Sequence, residues 1–192
     1  MTLSGGIRTS ASITAVNDFD LASGTVALSR NWGFTVDSSA ASKTCDLLWQ
    51  HEEVLDPSET LTIDLAGSAA GDPKDYWGAD ARFDRVHAVL VKNTTSGAAA
   101  GESLLEVGGG GDGAGTSAFG WLFGDGADTL EVAPGGFLAA VHGQDSGWMV
   151  TDSTADILRL CNLDGVNSIT FQIAIIGESE GSAATTTTTA GA

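Results

Sequence analysis

The sequence predicts an all-β chain: an antiparallel β-sandwich, jelly-roll-like, of about nine or ten strands between residues 12 and 177, with polar flexible N- and C-terminal arms. Three observations predict it. Apolar residues recur with a period of two, almost no stretch carries a helical stripe, and Gly, Asp, Asn and Ser clusters interrupt the apolar runs roughly every 8 to 14 residues.

Taken in order, ETLTIDLAG places Leu61, Ile63 and Leu65 on one face and Thr60, Thr62 and Asp64 on the other. In RFDRVHAVLVKNT the run Val86 to Val91 is apolar on both faces except for His87, as a central strand covered on two sides requires. FGWLFG reads as a strand with Phe119, Trp121 and Phe123 on one side, and SITFQIAIIGES puts Phe171, Ile173 and Ile175 in phase. These residues, with Leu158 and Leu160, form the expected core. The one expected helical turn lies near residues 74 to 80. Residues 1–11 read as an N-terminal arm, 12–178 as the sandwich domain and 179–192, which include TTTTT, as a flexible low-complexity tail.

A chain of 192 residues with 42% hydrophobic content buries roughly 70% of its unfolded surface, which suits a single domain. Eight Lys and Arg against 25 Asp and Glu give a formal charge of −17. Phosphate contacts need cations, so nucleic acid is not an expected partner. No run reaches the ~18 apolar residues of a membrane span, and the N-terminus lacks the pattern of a signal peptide. Cys45 and Cys161 sit in apolar, strand-like runs and read as two buried thiols. Asn93-Thr94-Thr95 is a formal glycosylation sequon.

HGQDSGW, residues 142 to 148, holds a histidine, an aspartate and a serine within five positions. A nucleophilic serine needs a base and an orienting acid converging on it, which one short loop cannot arrange. With strand-like FLAAVH before it and WMVTD after it, GQDSG reads as a hairpin loop. GGGGDGAG, residues 108 to 115, lacks the lysine of a phosphate loop and reads as a mobile surface loop. Asp112, Asp125 and Asp128 offer the oxygens that calcium takes, but without the repeated register of a calcium-binding nonapeptide. His51 stands beside Glu52 and Glu53, of which only alternate members share a strand face, and His87 reads as a hydrogen-bonded core histidine. The expectation is therefore of no enzyme, no catalytic residues and no cofactor. The five tryptophans, Trp77, Trp121 and Trp148 among them, could serve as stacking platforms for a surface glycan.

The order CDLLWQHEEVLDPSETLTIDLAG, ARFDRVHAVLVKNT, LEVGG, FGWLFGDGADTLEVAPGGFLAAVHGQDSGWMVT and ADILRLCNLDGVNSITFQIAIIGES, across about residues 45 to 178, resembles a group of virion structural proteins of tailed bacteriophages and prophages. The shared features are an aliphatic-aspartate-leucine strand, a strand ending near a valine-rich centre, a V-x-P-G-G turn, a glycine-Trp/Tyr-x-Val-Thr hairpin strand and a terminal T-x-x-I-x-I-I-G strand. The resemblance implies a β-sandwich present in many copies on a particle, as a capsid decoration protein or as part of a tail or fibre. It also implies a protein made in the host cytoplasm without a signal peptide, whose partners are copies of itself and major capsid or other virion proteins. A sugar-binding or host-adhesion module and a single jelly-roll capsid protein are the alternatives.

Overall fold

A computed structural model describes residues 4–19, 22–37, 45–67, 73–74, 80–96, 102–109, 118–142 and 146–179, with the backbone course alone for residues 4–37. Its strands are β1 (Ser4–Phe19), β2 (Ala22–Asp37), β3 (Leu47–Leu55), β4 (Thr60–Asp64), β5 (Phe83–Asn93), β6 (Leu105–Gly108), β7 (Thr129–Val132), β8 (Phe137–Val141), β9 (Trp148–Met149), β10 (Ile157–Asn162) and β11 (Ile169–Ser179).

From β3 onward the strands form two antiparallel sheets, ordered β3-β11-β5-β8 with β9 also on β5, and β4-β10-β6-β7. The pairs are nested: β3 with β11, β4 with β10, β5 with β8 and β9, β6 with β7. A long antiparallel ribbon folded over itself gives this order, which is the wrapping of a jelly roll. β1 and β2 pair with each other along their whole length as a separate two-stranded sheet. The expected domain boundary at residue 12 thus falls inside β1. The tail expected at 179–192 lies, apart from Ser179, outside the described residues.

The core fills the space between the two sheets. Alternate residues Leu47, Trp49 and Leu55 of β3, Phe171, Ile173 and Ile175 of β11, and Val89 and Val91 of β5 face Ile63, Leu158, Leu160, Leu105, Val107 and Val132 of the opposing sheet. Most of the expected core is present, with Leu61 only partly buried against it. Nothing is described of the Trp121 side chain; fully buried Phe119 supplies the large aromatic of its segment. Neither cysteine is in a disulfide; Cys45 is buried and Cys161 half-buried.

The shortest connections, β3–β4 and β7–β8, lie at one end, the short end, and the longest, β4–β5 and β6–β7, at the other. At the short end, buried Asn162 reaches the carbonyls of Leu55, Asp56 and Asn167 at 3.2, 2.9 and 2.9 Å and accepts from the Asp164 N–H. Asn93 donates to the carbonyls of Ser103 and Val132 there. In the turn that follows Val132, the Gly136 N–H donates to the Ala133 carbonyl and Gly135 has φ +74, a type II turn with Pro134 at its second position.

Three local expectations change. FGWLFG is not a strand: Gly120–Leu122 is a 3-10 turn, and a Cβ at Gly120 would sit 3.0 Å from the Gly126 nitrogen, so the segment turns tightly against its own loop. The first glycine of GGGGDGAG is not loop, and the second is not at the surface. Gly108 ends β6 opposite Thr129, whose Cγ2 would lie 2.5 Å from an added Cβ, and Gly109 is buried near the Gly126 carbonyl. HGQDSGW does not join a hairpin either, because β8 and β9 pair with β5 and not with each other, Lys92 to Ala88 against Phe137 to Val141 and then Val86 and Arg85 against Trp148 and Met149. They lie one after the other along the same edge of β5, with residues 143–145 between them outside the described residues. The helical turn expected near 74–80 falls partly outside the described residues, where an antiparallel bridge links Lys74 to Asp80.

Candidate functional site

The candidate site is the outer face of the five-stranded sheet. Alternation that sends Ile173 and Val91 inward sends their neighbours outward, and register aligns Glu52, Gln172, Lys92 and Phe137 in a single row across four strands. With Gln50, Leu90 and Ala174 of the next row they line an open groove of about 490 Å³. The Gln172 amide donates to Glu52 Oε2 at 2.7 Å, and the Phe137 side chain stands 57% exposed at the sheet edge. His51 borders the groove. Its ring stacks on Trp49 at a centroid distance of 5.6 Å, and its Nε2 lies 3.1 Å from Glu53 Oε2. Glu52 and Glu53 thus act on opposite faces, as strand alternation requires. Amides, a carboxylate, an ammonium and an exposed ring suit a polar ligand with one flat apolar side; the described lining contains no Ser, Thr or Cys.

Farther along the same face, β5 carries a bulge that leaves His87 between the pairs Ala88–Ile176 and Val86–Gly177. His87 is fully buried, and its Nε2 lies 3.0 Å from Oε1 of Glu178, a residue of outward parity on β11. His142 and Gly147, on either side of residues 143–145, both approach it. The His142 N–H donates to the His87 carbonyl, and a Cβ at Gly147 would lie 3.1 Å from the His87 ring. Arg85 completes the group, with Nε 3.8 Å from Glu178 Oε2 and Nη1 donating to the Ser146 carbonyl at 2.5 Å. His87 is therefore hydrogen-bonded and buried as expected, but against Gly147 and Glu178 rather than between the sheets.

The residues of HGQDSGW separate into structural roles. His142 meets Trp148 edge-on at 5.1 Å, Ser146 offers its carbonyl to Arg85, and Asp145 lies outside the described residues. Of the calcium candidates, Asp112 lies outside the described residues and Asp125 Oδ1 accepts the Ala127 N–H at 2.9 Å. Asp128 follows in the same turn, its N–H bonded to the Asp125 carbonyl. Among the described residues no three His, Cys, Asp or Glu gather to hold a metal. The Asn93 amide of the sequon is buried and committed to two carbonyls, so the folded domain offers no acceptor there. Trp77 lies outside the described residues, and half-buried Trp148 packs on His142.

One carboxylate sits at the long-loop end. Asp156 is 2% exposed; its Oδ2 accepts the Ser153 N–H at 2.8 Å while Oδ1 has no partner among the described residues. Burial pushes its carboxyl above the ordinary range, against the pull of that N–H.

Sequence reasoning missed Arg85, Gln172, Phe137 and Glu178. Gly177 within an otherwise apolar strand was the available signal for the bulge that brings Glu178 to His87, since glycine inside a strand marks a close backbone approach. No family model matches the chain, and neither does any curated protein or solved structure.

Proposed function

We propose that this protein is a non-enzymatic structural subunit of a phage or viral particle, present in many copies and most simply placed on the capsid as a decoration or cement protein. The observation that carries the reading is the nested jelly-roll order of β3 to β11, a wrapping that viral capsid and lectin domains use. That is an argument by fold analogy, and the polar chemistry of the domain agrees with it. Asn93, Asn162 and Asp164 tie connections together at the short end, Glu178 holds His87, and Arg85 holds the Ser146 carbonyl. These groups stabilise a scaffold. The sheet edges also suit assembly: Phe137 and Met149 on the β8–β9 edge, Val54 on β3 and Leu130 on β7 all stand about half exposed.

Quantitative mass spectrometry of purified particles tests the proposal. A copy number comparable to that of the major shell protein, together with surface density lost when the gene is deleted, supports it. A chain that never purifies with particles overturns it.

The groove lined by Glu52, Lys92, Phe137 and Gln172 favours a second reading, a glycan-binding surface on a tail or fibre. A glycan array probed with wild type and Phe137→Ala separates the readings, because only a groove ligand is lost on removing that ring.

A further inference from the structure

We propose that the β1–β2 hairpin is a self-association element, its apolar face packing against the hairpin of a second copy of this chain. The inference deepens the assembly reading but can fail separately from it.

The register carries the first part of the argument. Ile7 pairs with Phe34, Thr9 with Trp32, Ile13 with Leu28 and Ala15 with Val26, and directly opposed residues share a face. That face holds one charged residue, Arg30 opposite Ala11. The other face is made of pairs such as Arg8 with Gly33, Ser10 with Asn31 and Ser12 with Ser29. The hairpin thus has one mostly apolar side, interrupted by Thr9, Arg30 and Asn17, and one mostly polar side, which includes Ala27 and Val16.

A two-stranded sheet is marginal in water and needs a further layer over its apolar side. Each strand has 16 residues and spans ~50 Å, whereas the longest strands of the sandwich have 11 residues and span ~36 Å. The chain's own sandwich is too short to cover the whole face. Two strands ~4.8 Å apart present a face of ~500 Å² per copy, so two faces together bury ~1,000 Å², the size at which specific interfaces begin.

Charge selects a second copy as the occupant. Residues 1–44 hold three basic residues, Arg8, Arg30 and Lys43, against three acidic ones, Asp18, Asp20 and Asp37. The remaining five basic and 22 acidic residues put the whole −17 on residues 45–192. Sandwiches of that charge repel one another, and the nearly neutral hairpin, with two basic and three acidic residues over 4–37, is the segment through which identical chains can approach.

Sedimentation and light scattering of the purified full chain test the proposal. Wild type is expected to run as a discrete oligomer, and Ile13→Asp with Leu28→Asp as a monomer whose main melting transition is unchanged. Thr14→Asp with Ala27→Asp, a register pair on the opposite face, should leave the oligomer intact. A monomeric wild type, an oligomer that survives the first pair, or one lost equally with the second pair overturns the proposal. So does a monomer that binds phosphatidylcholine vesicles, which would give the face a lipid occupant. An oligomer that forms but never joins particles leaves the inference standing and removes the virion reading.

Discussion

Glu178 Oε1 lies 3.0 Å from Nε2 of His87, a side chain with no exposed surface, and the pair ties β11 to β5 with Gly147 close against the ring. Nδ1 of the same ring has no partner among the described residues, so Glu178 carries the polar satisfaction of this imidazole.

Glu178→Ala should therefore cost about 1–3 kcal/mol, the penalty for a buried polar group left unpaired. Glu178→Gln keeps an acceptor oxygen and should recover part of the loss. Urea unfolding of the two variants checks the order; equal stability of Ala and Gln would show that the carboxylate acts only through its charge.

Gly177→Ala should be the more damaging change. A Cβ there would lie 2.0 Å from the Arg85 carbonyl oxygen and 2.8 Å from the Phe83 ring, and the first of these is backbone that cannot step aside. Overpacking that displaces backbone costs about 3 kcal/mol or more. Thermal unfolding reads it, and a variant within a degree of wild type would mean that the bulge has no fixed geometry.

Much of this fold was legible because its signal is local. Leu61, Ile63 and Leu65 alternate with polar residues, as do Phe171, Ile173 and Ile175, and any strand half-buried in a sandwich must show that period. Partner choice is a long-range property. FLAAVH and WMVTD flank a glycine loop in the same way whether they pair with each other or both with β5, so the expected hairpin and the observed succession along β5 share one sequence signature. Ala11, Ser12 and the residues around them look featureless singly. The apolar face of β1 is recognised only once Ile7 is set opposite Phe34 and Ile13 opposite Leu28. The Glu178–His87 contact joins residues 91 apart, and no local pattern encodes it.

Asp156 gives the fold a pH dependence of one sign. Its carboxyl is held above the ordinary value by burial, so the unfolded chain loses this proton first. The resulting penalty is absent below the unfolded value near 3.8, grows through the window up to the folded value and is complete above it. Asp156→Asn keeps an acceptor for the Ser153 N–H without the charge. Its melting temperature relative to wild type should rise between pH 3.5 and 7, and a difference that stays flat over that range would count against the assignment.

Asp164 gives the opposite sign at the short-loop end. Its carboxylate accepts the Asn167 side-chain amide at 2.9 Å and the backbone N–H groups of Val166 and Asn167 at 2.8 and 3.0 Å, and it also meets the N–H and hydroxyl of Ser103. These donors, the Asn167 amide foremost, hold its carboxyl well below the usual carboxylate range. The stabilisation is fully present above the unfolded value near 3.8 and is lost as pH falls toward the folded value. Asp164→Ala should therefore lower the melting temperature at pH 7 and lose part of that deficit on acidification below pH 4, because the unfolded wild-type chain then takes up a proton that the folded carboxylate does not. Asn167→Ala removes the foremost donor and should reproduce a fraction of the effect with the same pH trend. A deficit for Asp164→Ala that holds constant from pH 7 to pH 2.5 would mean that the side chain acts by filling space between Asn162 and Ser103 and not as an anion binding its own loop.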